Sequence, residues 1–497
     1  MSPLPHTLYR ADQAGILDRL VIDYFQVPGI TLMTRAGQAT FNELRRAWPQ
    51  ASRIVVVCGP GNNGGDGYVV ARLARQAGLD VRVVHPVDIE PRGDAGLAYA
   101  ELQRVKCPVE HYRRDVFGEA DVIVDAMFGS GLNRSLEGIW AEVVDDVNAS
   151  RVPVIAVDIP SGLHADTGQI LGTAVIAMRT VCFLALKQGL MTAEGPACSG
   201  ELSFSDLEIP QAAYASLRTS AIRFGYEDLG FLLPPRRRNA HKGMFGHVLV
   251  VGGGSGMLGA VYLAASAALR TGAGLVSVAT RKSHAAFLDA MLPEAMCHGV
   301  ESVDELMPLL ESATVVAIGP GLGKNAWAKM MLSTLLVYPH LKVMDADALN
   351  LLARNPMPRD EWVLTPHPGE AARLLGCSTA TIQADRFTAV REIQRRYGGI
   401  CLLKGLGTLI CDQEYDIGLC HDGNPGMASG GMGDVLTGVI ASLMAQGLSA
   451  VDAASLGACM HARAADVAAD EGGERGLLAG DLMLPLRRLA NPEPALA

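Results

Sequence analysis

The sequence predicts an α/β protein with two domains, each built on a parallel sheet that helices cover. Short runs rich in Val and Ile end at Gly, Asp or Pro and are followed by helical periodicity, and this alternation occurs in both halves of the chain. The chain has 497 residues, which is too long for one ordinary core. A content of 49% hydrophobic and 19% charged residues is typical of a folded globular protein.

The apolar runs are the predicted strands. In the first half they cover residues 54–57, 81–84, 122–124, 154–157 and 180–185. In the second half they cover residues 247–251, 275–279, 314–318, 342–344, 362–364 and 400–403. Because each run precedes a helical pattern, the strands are expected to lie parallel in two separate sheets.

Between the halves, residues from about 210 to 239 show no clear strand pattern. They include two consecutive prolines followed by Arg236, Arg237 and Arg238. This composition predicts an exposed connector, whose arginines are either solvated or contact a phosphate near the second site. We therefore predict domains of residues 1–224 and 225–497.

Charge and cysteine usage exclude several classes of protein. Lys and Arg number 42 against 52 Asp and Glu, a net charge of −10, so no global basic field attracts nucleic acid or an anionic membrane. Ten cysteines without a C-x-x-C pair indicate buried thiols in a reducing compartment. No stretch resembles a signal peptide or a membrane span. We expect a cytoplasmic protein.

The segment 423–434, GNPGMASGGMGD, is typical of a phosphate-binding loop. Glycines let backbone N–H groups approach an anion, and the helix predicted behind them adds unpaired N–H groups. An isolated Gly-Asp before a helix is usually an N-cap. Here four glycines between Gly426 and Gly433 favour a catalytic role for Asp434, as the base that takes a proton from a hydroxyl attacking phosphorus.

A second glycine-rich segment, CGPGNNGGDG at 58–67, lies between the run 54–57 and a helix predicted to begin near Tyr68. This is where Rossmann-like folds bind dinucleotides, although the spacing is not G-x-G-x-x-G. Asn62 and Asn63 add amide donors and acceptors, which predict ribose, amide or cation contacts. The structural alternative is a glycine-rich turn with Asx caps.

Two further strand ends carry acids and hydroxyls. Asp125 is followed by the glycine-rich residues 129–135, and Asp158 is followed by Ser161. Because carboxyl ends of parallel strands meet at one edge, these residues predict a site with a general acid/base and oxygen ligands for a hard cation. Lys187 follows the run 180–185 and either reaches the same rim or is solvated.

These motifs resemble two known families. NNGGDG at 62–67, residues 125–135 and DIPSG at 158–162 resemble the YjeF N-terminal domain, the NAD(P)H-hydrate epimerase. HKG at 241–243, GHVLVVGG at 246–253 and GGMGD at 430–434 resemble the ribokinase-like ADP-dependent NAD(P)H-hydrate dehydratase. The resemblance covers nearly the whole chain. It implies a bifunctional repair enzyme, with a Rossmann-like N-terminal domain and a ribokinase-like C-terminal domain.

For the N-terminal domain the resemblance implies a hydrate-binding set, with Asp158 as the acid/base. The set is Asn62, Asn63, Gly64, Gly65, Asp66, Gly129, Ser130, Gly131, Leu132, Asn133, Arg134, Ser135 and Asp158. It also implies a potassium ion bound by Asn63, Asp125 and Ser161. A poorly hydrated monovalent cation suits these oxygen ligands, since no His or Cys accompanies them.

For the C-terminal domain the resemblance implies a nucleotide site that takes ADP with magnesium. Its residues are Lys404, Gly405, Leu406, Gly407, Thr408 and Gly433, and the hydrate-binding residues are Ala260, Gly323, His367 and Asp434. Leu406 departs from the small residue usual at the centre of that loop. From the residues alone, His367 is equally a core or turn histidine.

The implied function is repair of hydrated nicotinamide dinucleotides. The first domain would interconvert the R and S forms of NADHX and NADPHX, and the second would dehydrate the S form with ADP, giving AMP and phosphate. The alternative is a small-molecule kinase with a non-catalytic N-terminal binding domain. The resemblance also suggests a homo-oligomer, with residues 33–36 at an interface, whereas a preference between NADHX and NADPHX is not predicted.

Overall fold

The computed structural model describes residues 4–414 and 416–492. The chain divides into two compact units, residues 1–222 and residues 223–497. This division lies two residues before the boundary predicted from the sequence.

The first unit is built on a parallel sheet. The strands of this sheet are β2 (Arg53–Cys58), β3 (Asp80–His85), β4 (Val109–His111), β5 (Val122–Ala126), β6 (Val154–Val157), β7 (Arg179–Phe183) and β8 (Glu201–Ser205). The short strand β1 (Thr7–Leu8) lies outside it and pairs antiparallel with β9 (Ala221–Phe224). The helices of this unit are α1 (Ala11–Asp23), α2 (Gly29–Ala47), α3 (Asn62–Gln76), α4 (Gly93–Arg104), α5 (Ile139–Ala149) and α6 (Gly195–Ser199). The sheet order is β4-β3-β2-β5-β6-β7-β8, and all neighbours are parallel.

Both faces of this sheet are covered. Ile54 and Val56 of β2 pack into one apolar cluster, and Val55 and Val57 pack into another. A strand buried on both faces needs apolar residues without alternation, which is the pattern that predicted it. From β2 the chain adds β3 and β4 on one side, and it then returns to add β5 and the later strands on the other side. The topological switch point therefore lies between β2 and β5.

The strand β9 (Ala221–Phe224) follows, and the division between the units crosses it. The strands of the second unit are β10 (His247–Val251), β11 (Leu275–Thr280), β12 (Met296–Gly299), β13 (Val315–Ile318), β14 (Leu341–Met344), β15 (Trp362–Leu364), β16 (Ile400–Leu403), β17 (Thr408–Cys411) and β18 (Ile417–Cys420). Their order is β18-β17-β16-β15-β14-β13-β10-β11-β12. The pairs β16-β17 and β17-β18 are antiparallel and the other pairs are parallel.

The helices of the second unit cover its sheet. They are α7 (Tyr226–Leu229), α8 (Leu258–Thr271), α9 (Lys282–Met291), α10 (Val303–Ser312), α11 (Ala326–Val337), α12 (Ala346–Leu352), α13 (Pro368–Leu375), α14 (Thr379–Ala384), α15 (Arg386–Tyr397), α16 (Met432–Ala445), α17 (Ala450–Gly472) and α18 (Met483–Leu489). Gly438 lets α16 approach α8 closely, because a Cβ there would lie 2.0 Å from the Ala264 carbonyl oxygen. Short 3-10 segments occur at Gln188–Met191, Gln211–Ser216, Gly230–Leu232, Lys242–Phe245, Pro425–Met427 and Ala479–Leu482.

Every predicted run overlaps an observed strand, and the two α/β units confirm the predicted fold class. The run 180–185 ends early, at Phe183, because Leu184 has φ of 59° and leaves the extended conformation. The antiparallel strands β17 and β18 were not predicted, so the second sheet is mixed rather than parallel.

The prediction of an exposed connector is wrong for much of residues 210–239. This segment contains β9 and α7, and Tyr226 and Leu233 are buried in the core of the second unit. Arg236 is exposed, stacks 3.6 Å above the Phe245 ring and donates to Gln446 Oε1 at 2.9 Å. Arg237 and Arg238 are exposed, as expected for solvated residues.

The cysteines are free, and eight of the ten are buried, which confirms the predicted thiols for those eight. Among the helices in the described part of the chain, none has both the length and the apolar character needed to span a bilayer.

Candidate active sites

A cavity of about 560 Å³ opens at the carboxyl ends of β2, β5 and β6, beside the switch point of the first sheet. Ten of the residues predicted to bind the hydrate line it: Asn62, Asn63, Asp66, Gly129, Ser130, Gly131, Leu132, Asn133, Arg134 and Asp158. The structure therefore brings three separate strand-end segments to one opening.

The other three predicted residues, Gly64, Gly65 and Ser135, do not line this cavity. A Cβ on Gly64 would lie 2.0 Å from the Gly59 carbonyl oxygen, and one on Gly65 would lie 2.5 Å from the end of Met33. These two glycines permit close packing of α3 instead of facing the opening.

The helix α3 begins at Asn62, not near Tyr68 as predicted. Asn62–Gly67 is thus the first part of a helix rather than a loop. The prediction failed because glycine disfavours helices in isolation, whereas here the missing side chains let the helix lie against β2 and β5. At Gly67, a Cβ would meet Ala126 at 2.6 Å.

Asp158 follows β6 and is held by a buried lysine. Its backbone is in the left-handed region, with φ of 68°. Lys187, only 2% exposed, donates to Asp158 Oδ1 and, at 3.0 Å, to the Phe183 carbonyl oxygen. The Ser130 N–H donates to Asp158 Oδ2 at 3.3 Å. Lys187 is therefore part of this site and not the solvated residue that the sequence left open.

Burial would lower the pKa of Lys187, but the charge of Asp158 and its hydrogen bond with the lysine raise it above its ordinary value. The lysine is consequently a stable cation beside Asp158. Asp158 carries both a fixed partner and one oxygen that faces the cavity, an arrangement that can move a proton at a bound hydroxyl.

Asp125 and Ser161 lie beneath the cavity floor. The Ser161 hydroxyl donates to Asp125 Oδ1 at 2.6 Å and its N–H donates to Oδ2 at 2.8 Å. Burial raises the pKa of Asp125 to about 6, against these hydrogen bonds. Asn63, from α3, has a buried side-chain nitrogen without a hydrogen-bond partner. The three predicted cation ligands thus supply a carboxylate, a hydroxyl and an amide from three segments.

Sequence reasoning missed two carboxylates of this cavity, Asp18 on α1 and Asp94 on α4. Both come from helices without a glycine-rich motif, so no local pattern distinguished them from ordinary surface acids. Burial raises the pKa of Asp66 well above its usual range, and the charges of Asp158 and Asp18 add to this. The cavity therefore contains carboxylates of different proton affinity.

In the second unit, Asp434 lies in the first turn of α16, which begins at Met432 after Gly431. Gly431 has φ of 91°, a conformation that glycine adopts readily. The predicted helix thus starts three residues before Val435, and Asp434 sits among the N–H groups of a helix start. Burial raises the pKa of Asp434 to about 7, with a further rise from Asp345 and an opposing effect of Lys404.

Lys404, directly after β16, donates to Asp345 Oδ1 at 2.8 Å. The hydroxyls of Thr365 and Thr437 also donate to Asp345, each at 2.9 Å. Asp345 thus accepts three hydrogen bonds. Its ion pair with Lys404 engages the lysine that could otherwise pair with Asp434. Sequence reasoning assigned no role to Asp345, although residues 345–349 also fit the resemblance to the dehydratase.

Lys404 also reaches the glycine-rich segment. A Cβ on Gly433 would lie 3.1 Å from Lys404 Nζ and 3.6 Å from Asp345 Oδ2. Glycine at 433 therefore leaves room for the lysine next to the helix start. A cation and unpaired N–H groups at one place form a surface suited to a phosphate.

The four predicted hydrate-binding residues of this unit, Ala260, Gly323, His367 and Asp434, come from four separate segments. Ala260 lies on α8, and its Cβ is 3.1 Å from the position of a Cβ on Gly321, which is two residues before Gly323. The Gly323 N–H donates to Asp347 at 2.9 Å. The structure thus brings Ala260 and the Gly323 segment together.

His367 is the N-cap of α13, where its side chain accepts from the Gly369 N–H at 3.0 Å. Burial, followed by the charge of Lys404, lowers its pKa. Of the two structural readings that the sequence left open, the turn histidine is therefore the observed one. Its side chain is half exposed, so the ring also keeps a solvent-facing side for a ligand.

Residues 404–408 form the tight turn between the antiparallel strands β16 and β17. Gly405 and Gly407 have φ of 141° and 65°, which explains glycine at both positions. Leu406, between them, is 55% exposed. The larger residue at this position therefore extends outward and leaves the turn geometry intact.

The folds and sites define a two-domain α/β enzyme, with Rossmann-like and ribokinase-like units, each with an aspartate at a strand-end site. Residues 29–189 match the family model described as YjeF-related protein N-terminus, and residues 248–487 match that of NAD(P)H-hydrate dehydratase. A ribokinase-like superfamily protein from Enterococcus faecalis has a TM-score of 0.50 and 28% identity, covering 54% of this chain and 94% of that protein.

Relatives match over the full length. The bifunctional NAD(P)H-hydrate repair enzyme of Coxiella burnetii is 47% identical over 486 residues, covering 98% of this chain and 99% of that protein. The enzyme of the same description from Escherichia coli is 43% identical over 491 residues, covering 99% of this chain and 95% of that protein. The chain belongs to the family of bifunctional NAD(P)H-hydrate repair enzymes.

Proposed function

We propose that this chain epimerises the R and S forms of NADHX and NADPHX in its first unit and dehydrates the S form in its second unit. The observation that carries the proposal is the pair of aspartates, Asp158 and Asp434, each placed at a strand-end site in a different unit. The second reaction consumes ADP and gives AMP and phosphate. The functional domains are residues 1–224 and residues 225–497.

In the first unit, Asp158 is the acid/base. It takes the proton of the C6 hydroxyl of the hydrated ring, so that a C6 carbonyl forms while the bond from C6 to the ring nitrogen breaks. The electron pair of that bond goes to the nitrogen, which takes a proton from water. In ring closure the nitrogen attacks the opposite face of the carbonyl and returns its proton to the water it came from, while Asp158 gives its proton back to the oxygen, so C6 is inverted and the hydroxyl is restored. Lys187 fixes the carboxylate during both transfers.

The hydrate in this unit is bound by the residues of the cavity wall. Asn62, Asn63, Asp66 and residues 129–134 surround the opening around Asp158. Gly64, Gly65 and Ser135 support this wall from behind, since they do not line the opening. Arg134 is the cationic side chain of the predicted set and suits the substrate phosphates.

In the second unit, Asp434 takes the C6 hydroxyl proton, and the oxygen attacks the terminal phosphorus of ADP. The phosphorylated hydrate then loses phosphate as the lone pair of the ring nitrogen displaces it, and loss of the C5 proton gives the dihydronicotinamide. Phosphorylation is needed because hydroxide is a poor leaving group at neutral pH. The glycine N–H groups at the start of α16 and Lys404 stabilise charge on the transferred group.

The remaining residues of the second unit divide between the two substrates. Lys404, Gly405, Leu406, Gly407, Thr408 and Gly433 bind the nucleotide, and Ala260, Gly323, His367 and Asp434 bind the hydrate. ADP enters with magnesium, which neutralises phosphate charge when bound.

A potassium ion fits the donor set beneath the first cavity. Asp125, Ser161 and Asn63 offer hard oxygen ligands, and the buried Asp125 has no cationic partner among the described residues. Exchange of the Asn63 amide oxygen and nitrogen would place its oxygen where the orphaned nitrogen now lies. When bound, the ion would offset the charge of Asp125 and tie the three segments together.

The proposed setting is a cytoplasmic homo-oligomer that binds neither nucleic acid nor a membrane. The free cysteines support a reducing compartment such as the cytoplasm. The net charge of −10 argues against binding to nucleic acid or to an anionic membrane. An interface at Met33–Ala36 is not supported, because Met33 and Ala36 are 5% and 3% exposed and line the cavity of the first unit. Separate production of residues 1–224 and 225–497 tests the domain assignment, with epimerase activity expected in the first and dehydratase activity in the second.

The competing function is a small-molecule kinase with a non-catalytic first unit. To separate the two, an equal mixture of R and S NADHX is incubated with the protein, with and without ADP, and NADH absorbance is followed. We expect no NADH without ADP and conversion of the whole mixture with ADP. Conversion that stops at half the mixture would contradict the epimerase, and none at all would favour the kinase.

A further inference from the structure

Arg386, the first residue of α15, is a buried cation that the proposed chemistry does not use. Its side chain is 1% exposed. None of the carboxylates in the described part of the chain forms an ion pair with it, and its Nε has no hydrogen-bond partner there. It also lies at the positive end of a helix, which disfavours a cation. The unpaired buried charge, the unpartnered Nε and the position at a helix N-terminus each destabilise the protein, so we expect Arg386 to have a function that compensates.

The guanidinium is wrapped by the turn between β16 and β17. Its terminal nitrogens donate to the carbonyl oxygens of Leu403, Lys404 and Gly407 at 3.4, 3.3 and 3.1 Å. A Cβ on Gly405 would lie 2.4 Å from Nη1, so glycine is required there for the turn to close over the cation. The turn that contains residues 404–408 is therefore built directly on this side chain.

The inward carbonyls set the direction of the outward N–H groups. In a trans peptide the carbonyl and the following N–H point in opposite directions. Because the Lys404 carbonyl faces the guanidinium, the Gly405 N–H points away from it. Burial lowers the pKa of Arg386 to about 10, so the side chain still carries its charge at neutral pH.

We propose that Arg386 is a positioning residue for nucleotide binding, which turns the Gly405 N–H outward and adds a buried positive charge beneath the phosphates. The inference rests on the proposed nucleotide site at residues 404–408. A nucleotide phosphate bound on the outer side of the turn would supply the negatively charged partner that the buried guanidinium lacks. Arg386 itself does not contact the nucleotide, because the turn lies between them.

The test measures ADP binding by calorimetry and the kinetic constants of dehydration for Arg386→Met and Arg386→Lys. The matched control is Arg395→Met, which removes an exposed arginine from the same helix. We expect Arg386→Met to raise KM and Kd for ADP about 10–100-fold, with kcat within about threefold, as for loss of one buried charge. Arg386→Lys retains the charge and is expected to recover part of this loss, and Arg395→Met to equal the parent.

Parent ADP affinity in a folded Arg386→Met variant would overturn the inference. If that variant does not fold, Arg386→Lys decides, since it keeps the buried charge but has fewer N–H groups to hold the turn: a raised KM for ADP supports the inference and the parent KM overturns it. A parent protein that neither binds ADP nor dehydrates NADHX contradicts the proposed function itself. The two failures are therefore distinguishable.

Discussion

The two candidate sites use the same residue types in different arrangements. In the first unit, Lys187 contacts Asp158 directly. In the second unit, Lys404 contacts Asp345 at 2.8 Å, and Asp434 has no ion pair among the described residues. Each site thus combines a lysine at a strand end with an aspartate, but only the first pairs that lysine with the proposed base.

The difference shows how placement of one lysine sets the state of a nearby acid. Asp345 accepts hydrogen bonds from the Lys404 ammonium and from two hydroxyls, so Lys404 is paired with Asp345 rather than with Asp434. Burial and, after it, the nearby Asp345 carboxylate raise the pKa of Asp434 to about 7. Asp158 has a direct cationic partner and a strained backbone at φ 68°, which fix its position.

The largest expected effect comes from removing each base in turn. Asparagine keeps the shape of aspartate but takes no proton, so Asp434→Asn is expected to slow dehydration of S-NADHX about 10²–10⁴-fold. Epimerisation should remain at the parent rate. Asp158→Asn is expected to slow epimerisation and to leave dehydration of S-NADHX at the parent rate. Each variant is the control for the other, and the rates are measured on the separate epimers.

If Asp434→Asn dehydrates S-NADHX at the parent rate, the mechanism proposed for the second unit is contradicted. Loss of both activities in either variant would mean that the two sites do not work independently. Circular dichroism of each variant shows that an observed loss is not a loss of folding.

The next effect concerns stability and compares the two lysines. Lys187→Met leaves Asp158 as a buried charge without its partner and is expected to cost about 3–5 kcal/mol in the first unit. Lys404→Met leaves Asp345 with its two hydroxyl donors, so a smaller cost of about 1–3 kcal/mol is expected in the second unit. Hydrogen exchange read by mass spectrometry reports the two units separately. Equal losses from both variants would contradict the contrast between the sites.

The smallest effect is expected from the cation of the first unit. Epimerase activity in potassium should exceed that in sodium or a bulky organic cation by about threefold to tenfold, since the ion supports binding more than proton transfer. Asp125→Ala should lose this dependence together with activity. Asp115→Ala, which removes a largely exposed carboxylate of the same unit, is the control. Equal parent activity in all three buffers would exclude the ion.

The sequence was sufficient for the fold class and for the strand ends that form both sites. Buried parallel strands have a continuous apolar pattern, and their carboxyl ends meet by topology, so the strand-end segments that carry Asp125 and Ser161 were correctly expected to meet. The comparisons confirm the family. The roles of the site residues stay predictions.

What the sequence could not provide depends on tertiary contacts. The helix start at Asn62 depends on glycines that pack against β2 and β5, a property that local propensity does not contain. The sequence does not show that Lys187 pairs with Asp158 or that Lys404 pairs with Asp345, because nothing in the local sequence distinguishes one lysine at a strand end from another. β9 was missed because a strand of only four residues gives a weak pattern.

The central claim is that Asp434 is a partly buried base that forms no ion pair with any cation among the described residues. It predicts a dehydration rate that falls about tenfold per pH unit well below pH 7, because protonated Asp434 cannot accept the hydroxyl proton. ADP also ionises in this range, so the direct measurement is a ¹³C NMR titration of the aspartate carboxyl carbons in the free protein. The signal that Asp434→Asn removes should titrate with a midpoint of about 7. A midpoint at the value of an ordinary exposed aspartate, about 4, would contradict the account.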